Sequence, residues 1–390
     1  MSQPLDILGG ITAEQFLNEY WQKKPLLVRQ ALPDVAGLLE PSDVMELALD
    51  ETVTARLIKQ KDRDPNQWSV KSSPLIKGDF QKMPKRWTLL VQAVDHYSFD
   101  LAQLWKKFSF IPQWRRDDIM VSYAPEGGSV GKHFDYYDVF LVQGYGHRRW
   151  QLGQMCDAET PLVPGQPLKI LNDIDIQFDE VLEPGDLLYV PPGLAHYGVA
   201  EDECLTYSFG FRMPNIASMM DRVSDQFTED PQFAVPLKDE ARQLNSNIAE
   251  ITQSEIARFK ALFLEQLKDS TTFDDALMCL MSDPKYLDSL PEPEEIAFGD
   301  LVEILDQGYA LQLEPASRLL YRQDADQMRF WGNGEGLCIT AEFAPLLKAL
   351  ADGEVLELDA RFDEEALSQV AELMNDAILM LLPPEDDLAE

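Results

Sequence analysis

The stretch GKHFDYYDVF, residues 131–140, and the stretch EPGDLLYVPPGLAH, residues 183–196, decide the fold. In the first, His133 and Asp135 stand two residues apart among aromatic and β-branched residues, which favour a strand. Side chains two apart on a strand leave the same face of the sheet. In the second, residues 187–190 predict a short strand that enters a Pro/Gly turn, and His196 begins the return strand.

These residues could form a metal centre. Two histidines and one carboxylate from neighbouring strands occupy one face of an octahedral ion, as in non-haem Fe(II) oxygenases. A His-x-Asp pair alone is more often a surface or hydrogen-bonded pair. The chain has only four histidines, however, and two of them fall in these two motifs. We therefore predict that His133, Asp135 and His196 bind a metal ion.

The spacing of Gly185, Pro191, Gly193 and His196 resembles the second motif of the cupin superfamily. A His-x-Asp with a His about sixty residues later looks like the Jumonji C subgroup of 2-oxoglutarate oxygenases. Within that subgroup, YDVFLVQGYGHRRWQLG followed by LEPGDLLYVPPGLAHYG is similar to the bacterial ribosomal oxygenases, over roughly residues 15–215. The resemblance implies a double-stranded β-helix of the jelly-roll type. It also implies a dioxygenase that uses Fe(II), 2-oxoglutarate and O2 to hydroxylate an arginine side chain of a large-subunit ribosomal protein.

The resemblance gives Arg148 a role, because the Jumonji family binds the distal carboxylate of 2-oxoglutarate through a basic residue fifteen positions after the first His ligand. A guanidinium can hold a carboxylate by two parallel hydrogen bonds. Without the resemblance, an arginine in this turn would more often be a solvated charge. Ser122, Thr206 and Ser208 are weaker candidates for a second hydrogen bond to the cosubstrate, since hydroxyls on core strands often satisfy only the local backbone.

An arginine side chain that enters the barrel needs a nearby carboxylate, because burying an unpaired guanidinium is costly. Asp118 and Asp138 are the candidates. Asp138 lies three residues beyond Asp135, so strict alternation turns it to the other face of the strand. We therefore favour Asp118.

From Asp118 onward, short alternating or apolar runs indicate an antiparallel sandwich or barrel. The runs are IMVSYA, YDVFLVQG, RRWQLG, IQFDEVL, LLYV and TYSFGF. The turn at residues 144–147 predicts that residues 148–152 run back beside residues 138–143. Thr12 and Ser42 are predicted helix N-caps, and the apolar residues of 86–108 predict two further helices.

The periodicity becomes helical after Pro214. We expect a Jumonji C catalytic domain over residues 1–214, with its β core at about 86–214. A helical region over 215–290 should follow. The last part, 296–390, should be a small α+β module with a helix at about 363–382. The two helical stripes are Ile216, Met219, Met220, Val223 and Phe227, and Ile256, Phe259, Phe263 and Leu267. The family resemblance implies a homodimer through the helical region and a winged-helix-like C-terminal module.

Charge is unevenly spread along the 390 residues, which contain 68 acidic and 33 basic side chains for a net charge of −35. Residues 215–390 hold 38 acidic and 12 basic residues, a balance that repels nucleic acid and attracts basic partners, although solubility alone would explain it equally well. DNA binding by the C-terminal module is not expected. The sequence has neither a membrane span nor a secretory leader, so we expect a cytoplasmic protein.

Two alternatives remain. Another metal-cupin enzyme, such as a sugar isomerase, would share the second motif, but Asp135 as the middle ligand and Arg148 argue against it. A non-catalytic binding protein would use its acidic surface and keep a vestigial barrel. The three intact ligands argue against that, because a vestigial site need not retain all of them.

Overall fold

The computed structural model describes residues 3–62, 64–236, 238, 247, 249–269, 271–292, 296, 298–305, 307–325, 327–357 and 362–384. The chain divides into two units. The barrel unit is Met1–Met213 with Lys285–Glu292, and the C-terminal unit is Pro214–Pro284 with Pro293–Glu390. Among the described residues, no helix is long and apolar enough to span a membrane. The predicted three-part division of the chain stays a prediction.

The barrel unit is built from two antiparallel sheets, as expected for a double-stranded β-helix. Its helices are α1 Ala13–Glu19, α2 Pro41–Leu47 and α3 Phe99–Gln103. Its strands are β1 Leu26–Val28, β2 Ala55–Lys61, β3 Asp64–Ser72, β4 Arg86–Val91, β5 Arg116–Ala124, β6 Asp138–Tyr145, β7 Arg148–Met155, β8 Phe178–Leu182, β9 Leu187–Val190, β10 Leu194–Ala200 and β11 Cys204–Phe211. The large sheet has the order β1-β9-β6-β11-β5-β4-β2-β3, and the small sheet has the order β10-β7-β8.

Strand β6 shows why the large sheet is buried on both faces. Val139 and Leu141 pack with Trp150 of the small sheet. Phe140 and Val142 point the other way, into the cluster that includes the N-terminal helices. Because both faces are covered, β6 reads as a nearly continuous apolar run rather than as a clean alternation.

The helix predicted at the start of residues 86–108 is wrong. Leu89 and Leu90 lie in β4, which pairs with β2 and β5. A short apolar run that is buried on both faces has no periodicity that separates a strand from a helix. The second predicted helix is reduced to α3 followed by a 3-10 turn over Leu104–Phe108.

The two predicted N-caps have different outcomes. Thr12 caps α1 by accepting a hydrogen bond from the Gln15 backbone, so this prediction is confirmed. Ser42 does not cap α2, which begins one residue earlier at Pro41. Glu40 is the cap, and its backbone N–H donates to the Asp43 carboxylate at 2.7 Å. The helix starts earlier than predicted because Pro41 favours the first helical position.

The hairpin predicted at residues 144–147 is also wrong, because β6 belongs to the large sheet and β7 to the small one. The chain crosses between the sheets at Gly146, which has a φ of 59°. A Cβ atom there would lie 2.0 Å from the carbonyl oxygen of Glu203. The crossing places Arg148 at the start of β7, in the sheet opposite the strands that carry Ser122 and Thr206.

The C-terminal unit combines helices with two small antiparallel sheets, of order β16-β12-β17 and β13-β14-β15. Its elements are α4 Ile216–Glu229, α5 Gln253–Asp269, α6 Thr271–Ser282, α7 Phe298–Leu305, β12 Ala310–Leu313, β13 Leu319–Gln323, β14 Met328–Gly332, β15 Glu335–Leu337, α8 Ala344–Ala351, β16 Leu356–Glu357, α9 Glu364–Asn375 and β17 Leu379–Leu382. The two predicted helical stripes are confirmed as α4 and α5. The helix predicted to reach residue 382 ends at Asn375, and β17 follows it.

Candidate active site

His133 and His196 are brought together by a backbone bridge. The His133 N–H donates to the His196 carbonyl at 3.0 Å, and the His196 N–H donates back at 2.8 Å. The strand predicted to begin before His133 starts only at Asp138, so Asp135 lies on the loop in front of β6. The Asp135 carbonyl accepts a hydrogen bond from the Gly193 N–H at 2.7 Å, which holds this loop against the turn before β10.

The three side chains converge. The Asp135 Oδ2 atom lies 3.8 Å from Nε2 of His133 and 3.5 Å from Nε2 of His196. The nitrogen and oxygen atoms that could bind a metal all lie within 4.8 Å of one another. The two histidine rings are 4.1 Å apart between centroids. The chain therefore presents two imidazoles and one carboxylate to a single point.

Backbone carbonyls orient both imidazoles. His133 Nδ1 lies 2.9 Å from the Gly131 oxygen, and His196 Nδ1 lies 2.9 Å from the Leu194 oxygen. A carbonyl only accepts hydrogen bonds, so each Nδ1 carries the proton and each Nε2 keeps its lone pair for the cluster. Such a partner on the second ring nitrogen is typical of histidines that bind metals.

Electrostatics favour the neutral form of His196. Its side chain is only 3% exposed. Burial, and then the neighbouring His133, lower the pKa of His196 to about 4, although Asp135 acts in the opposite direction. A neutral imidazole is the form that binds a metal. Two imidazoles and a carboxylate on one side of an open cavity fit a divalent first-row metal.

Arg148 is buried in the same cavity without a carboxylate partner. Its residue is 3% exposed, and its Nη1 donates to Ser122 Oγ at 2.8 Å and to Thr206 Oγ1 at 3.2 Å. Its Nε has no hydrogen-bond partner, and among the described residues no acidic side chain forms an ion pair with it. Burial lowers the pKa of Arg148, which is the expected effect on an uncompensated cation. Such a group requires an anion.

The three hydroxyl residues chosen from the sequence line the same cavity, of about 290 Å³. Ser122 and Thr206 contact Arg148 directly, and Thr206 Oγ1 also donates to Gln143 Oε1 at 3.0 Å. Ser208 lies on the cavity wall beside them. These hydroxyls therefore share one wall with the guanidinium, which is where an anionic ligand would be held.

Asp118 also lines this cavity and is 4% exposed. Its Oδ2 accepts hydrogen bonds from the Ala93 N–H and from the Tyr286 hydroxyl, each at 3.0 Å. Burial, and then the charge of Asp117, raise the pKa of Asp118 to about 7. A cationic ligand would favour the charged form of this carboxyl group.

Asp138, the second carboxylate considered from the sequence, does not reach the cavity wall. It is fully buried and accepts hydrogen bonds from Arg115 at 3.1 Å, Tyr189 at 2.7 Å and Gln22 at 2.9 Å. These three donors use its hydrogen-bonding capacity inside the protein, so Asp138 does not suit the binding of a substrate cation.

Sequence reasoning missed several cavity residues. Tyr137 and Arg212 line the cavity, and the Arg212 guanidinium lies 5.1 Å from the centroid of the Tyr137 ring. Tyr137 adjoins the Asp135 motif and could have been noticed there. Tyr286 contacts Asp118 from a position 168 residues away in the chain, and no local pattern signals that contact.

Comparisons with known proteins agree with this geometry. Residues 103–219 match the JmjC domain family, and residues 265–380 match a family described as ROXA-like winged helix, which confirms the winged-helix character predicted for the C-terminal end. A protein of Haemophilus influenzae named "Probable ribosomal oxygenase" is 46% identical over 364 residues, covering 89% of this chain and 87% of that protein. The Escherichia coli "Ribosomal protein uL16 3-hydroxylase" is 30% identical over 365 residues, covering 92% of this chain and 95% of that protein.

A solved structure extends the similarity to three dimensions. It is the Escherichia coli ribosomal oxygenase YcfD in complex with cobalt and 2-oxoglutarate. It aligns with a TM-score of 0.83 at 29% identity, over 95% of this chain and 98% of that chain. On the extent of these matches, the chain belongs to the ribosomal oxygenase family of JmjC-domain proteins.

Proposed function

We propose that this protein is an Fe(II)- and 2-oxoglutarate-dependent hydroxylase of an arginine side chain in a large-subunit ribosomal protein. The observation that carries the proposal is the buried Arg148 guanidinium, which has no anionic partner among the residues that the structure describes and lines the same cavity as His133, Asp135 and His196. A cavity that offers three metal-binding groups and one uncompensated cation suits a metal ion together with a small dicarboxylate.

In this proposal His133, Asp135 and His196 hold the iron, and Arg148 binds the far carboxylate of 2-oxoglutarate. When bound, iron and 2-oxoglutarate supply the oxygen chemistry, which converts 2-oxoglutarate, O2 and a C–H bond into succinate, carbon dioxide and a C–OH group. Ser122 and Thr206 fix the guanidinium by hydrogen bonds to Nη1, so Nη2 and Nε remain for the carboxylate. The apolar wall formed by Leu141 and its neighbours restricts water.

Asp118 is proposed to bind the cationic side chain of the substrate. It is a buried carboxylate on the cavity wall, whereas Asp138 is already saturated by internal donors. A buried guanidinium needs such a partner, because leaving it unpaired is very costly. The relative named as a uL16 3-hydroxylase supports a ribosomal protein as the substrate class.

The partners follow from the same proposal. A ribosomal protein substrate implies action in the cytoplasm, and the net charge of −35 favours a basic protein over nucleic acid. Helices α4 and α5 expose a set of large apolar side chains, which suits association with a second copy of the chain: Ile216 at 72%, Met220 at 47%, Phe259 at 49%, Phe263 at 50% and Leu264 at 55%. A mass near twice 44.3 kDa in sedimentation analysis would support the homodimer.

The first experiment adds iron and 2-oxoglutarate to the metal-free protein without oxygen. We expect a metal-to-ligand charge-transfer absorbance that depends on both additions. A sugar isomerase of the cupin type would bind iron without this band, and a vestigial barrel would bind neither. Absence of the band at saturating concentrations would refute the cosubstrate assignment.

The second experiment identifies the substrate. Ribosomal proteins from cells with and without this gene are digested and compared by mass spectrometry. We expect the gain of one oxygen atom on an arginine of a large-subunit protein, only where the gene is present. Hydroxylation of a different residue type would refute the arginine assignment but not the oxygenase.

A further inference from the structure

The segment Lys285–Glu292, here called the strap, belongs to the barrel unit although the residues on either side of it in the sequence belong to the C-terminal unit. Its Tyr286 hydroxyl lies 3.0 Å from Asp118 Oδ2 and 3.0 Å from Gln92 Oε1. The same Oδ2 atom accepts a hydrogen bond from the Ala93 N–H. The strap therefore contacts the carboxylate that we assign to the substrate.

The direction of the Tyr286 bond follows from proton counting. One hydroxyl has one proton, so it cannot donate to both Asp118 and Gln92. The Gln92 Nε2 is buried and has no partner in the orientation given. The oxygen and nitrogen of an amide are nearly identical in shape, and exchanging them lets Gln92 donate to Tyr286. The phenol proton then goes to Asp118, which is the stronger acceptor.

The strap is held in place by contacts of its own. Ser289 Oγ donates to the Tyr286 carbonyl at 2.8 Å and lies 2.7 Å from His96 Nδ1. The His96 and Tyr286 rings pack edge to face, with centroids 6.1 Å apart. These contacts restrain the Tyr286 side chain, so its hydroxyl is a fixed donor rather than a mobile one.

Lys285 adds a charge at the same place. Its Nζ lies 2.9 Å from Asp117 Oδ2 and 3.6 Å from Asp118 Oδ1. Asp117 also pairs with Arg212 at 2.5 Å. The Lys285 charge lowers the pKa of Asp118 and opposes the effects of burial and of Asp117, which raise it. Lys285 thus favours the anionic form of the carboxylate.

We propose that Tyr286 and Lys285 are positioning residues that hold Asp118 in the orientation and charge state needed to bind a cationic substrate side chain. The inference rests on the proposed function. Tyr286 and Ala93 donate their hydrogen bonds to Oδ2, whereas Oδ1 faces the Lys285 ammonium at 3.6 Å, beyond hydrogen-bond distance, and can accept hydrogen bonds from a guanidinium. The hydrogen bonds found for Arg148 go to Ser122 and Thr206 and not to the strap, so the effect of the strap should fall on the peptide substrate and not on 2-oxoglutarate.

The pH dependence of kcat/KM for the peptide distinguishes a positioning role of Tyr286 and Lys285 from a purely structural role. The charged and titratable groups that face Asp118 are Asp117, Asp95, Lys285, Arg212, Tyr137 and Tyr286. Losing the hydrogen bond from Tyr286 or the charge of Lys285 destabilises the Asp118 anion. In a variant that lacks the Tyr286 hydroxyl or the Lys285 charge, the acidic limb of the pH profile of kcat/KM for the peptide should therefore move to higher pH.

The experiment uses the full chain and a peptide containing the target arginine, with kcat/KM measured from about pH 6 to about pH 9. Tyr286→Phe should lower kcat/KM near neutral pH by about tenfold, as expected for a hydrogen bond to a charged group, through KM rather than kcat. Lys285→Met should lower kcat/KM near neutral pH by about threefold, and at high pH its kcat/KM should return to the wild-type value. The KM for 2-oxoglutarate should not change in either variant.

Matched controls exist in the same unit. Tyr123 donates to the Glu203 carboxylate at 2.6 Å, and Lys71 pairs with Asp79 at 2.5 Å, both outside the cavity wall. Tyr123→Phe and Lys71→Met should leave the pH profile unchanged. If Tyr286→Phe fails to fold, Lys285→Met decides the question, since the Lys285 side chain is partly exposed.

Two outcomes overturn the inference while leaving the enzyme's function intact. One is an unchanged KM and acidic limb in Tyr286→Phe and Lys285→Met. The other is a higher kcat/KM in Lys285→Met, which would mean that the ammonium competes with the substrate cation. If the wild-type protein does not hydroxylate the arginine peptide at all, the proposed function fails, and the strap inference fails with it.

Discussion

Arg115 and Arg148 are both buried arginines of the barrel unit, but their charges are satisfied in opposite ways. Arg115 pairs with Asp138 at 3.1 Å and donates through Nε to the Arg212 carbonyl at 2.7 Å. Within the described part of the chain, Arg148 hydrogen-bonds to the hydroxyls of Ser122 and Thr206, and its Nε has no partner. The two residues are 9% and 3% exposed, so solvent does not explain the difference.

The comparison separates structure from ligand binding. A buried ion pair whose hydrogen bonds are complete has no capacity left for a ligand, and its role is to hold the fold. A buried cation without an anion costs free energy that a bound carboxylate would recover. The same distinction applies to the carboxylates. Asp138 has three internal donors, whereas both hydrogen bonds to Asp118 go to Oδ2, and its Oδ1 has only the Lys285 ammonium at 3.6 Å.

The largest expected effect lies at the cluster of His133, Asp135 and His196, which we propose binds the iron. His133→Ala, Asp135→Ala or His196→Ala should each abolish 2-oxoglutarate turnover and leave the fold intact, because the three side chains contact one another rather than hold the strands. Succinate formation and circular dichroism measure the two effects. Asp135→Asn should weaken iron binding by removing the anionic ligand. Full turnover in any alanine variant would contradict the metal assignment.

The two arginines provide the next test. Arg148→Ala should raise the KM for 2-oxoglutarate by about 30-fold or more, since losing one side of a desolvated charge pair costs about 2 to 5 kcal/mol. Arg148→Lys should restore only part of the affinity for 2-oxoglutarate, because an ammonium group cannot form two parallel hydrogen bonds to a carboxylate. Neither change should lower the melting temperature by much, since no internal anion loses its partner.

Arg115→Ala is the matched variant and should behave in the opposite way. It leaves Asp138 buried and unpaired, so the free energy of unfolding should fall by about 3 to 5 kcal/mol. The KM for 2-oxoglutarate should change by less than about threefold in the protein that remains folded. If both arginines affected KM and stability equally, the distinction between them would be lost.

The two aspartates give a smaller effect that depends on pH. The folded-state pKa of Asp118, about 7, lies above the ordinary value of 3.8, so the unfolded state releases this proton first and the fold loses stability as pH rises between these values. Asp118→Asn should therefore stabilise the protein by about 1 to 3 kcal/mol at about pH 8 but not at about pH 4, while impairing peptide hydroxylation. Burial raises the pKa of Asp138 as well, but Asp138→Asn should still destabilise the protein at about pH 8, because the buried Arg115 loses its anion. Thermal unfolding at both pH values measures this contrast.

The residues that meet at the cavity were predictable to different degrees. His133, Asp135 and His196 stand in two local motifs, and the sequence alone predicted that they meet, although Asp135 lies on the loop before β6 and not on the strand that its spacing from His133 suggested. The role predicted for Arg148 depended on a family resemblance, because no local sequence pattern shows whether a basic residue beside a turn is buried or solvated. The contact between Tyr286 and Asp118 joins residues far apart in the chain, and only the tertiary fold brings them together.

The fold was predictable where periodicity is strong and not where burial is two-sided. The stripes of α4 and α5 indicated helices because one face of each is apolar. Leu89 and Leu90 were wrongly predicted to lie in a helix, because the apolar run of β4 lacks the alternation of apolar and polar residues that marks a strand. The turn at Gly146 indicated a hairpin, since a glycine turn between strands does not reveal whether the next strand joins the same sheet.

The smallest expected effect concerns the attraction between the acidic chain and a basic substrate. With a net charge of −35, the protein should draw in a basic segment over a distance that salt screens beyond roughly 8 Å at physiological ionic strength. Raising salt from about 50 to about 300 mM should lower kcat/KM for the arginine peptide by about threefold to tenfold. Uncoupled 2-oxoglutarate turnover should not respond, because Arg148 is buried and its contacts are little screened.

A second peptide sharpens this prediction by separating long-range attraction from the pairing at Asp118. It keeps the target arginine and replaces the flanking basic residues with glutamine. Its kcat/KM should be lower at low salt and nearly independent of salt, because charges outside the cavity are screened while a desolvated pair is not. Replacing the target arginine with alanine should abolish hydroxylation of either peptide. An equal salt response of peptide hydroxylation and uncoupled turnover would mean that salt acts on the enzyme itself, and the cationic-substrate assignment would then lose its electrostatic support.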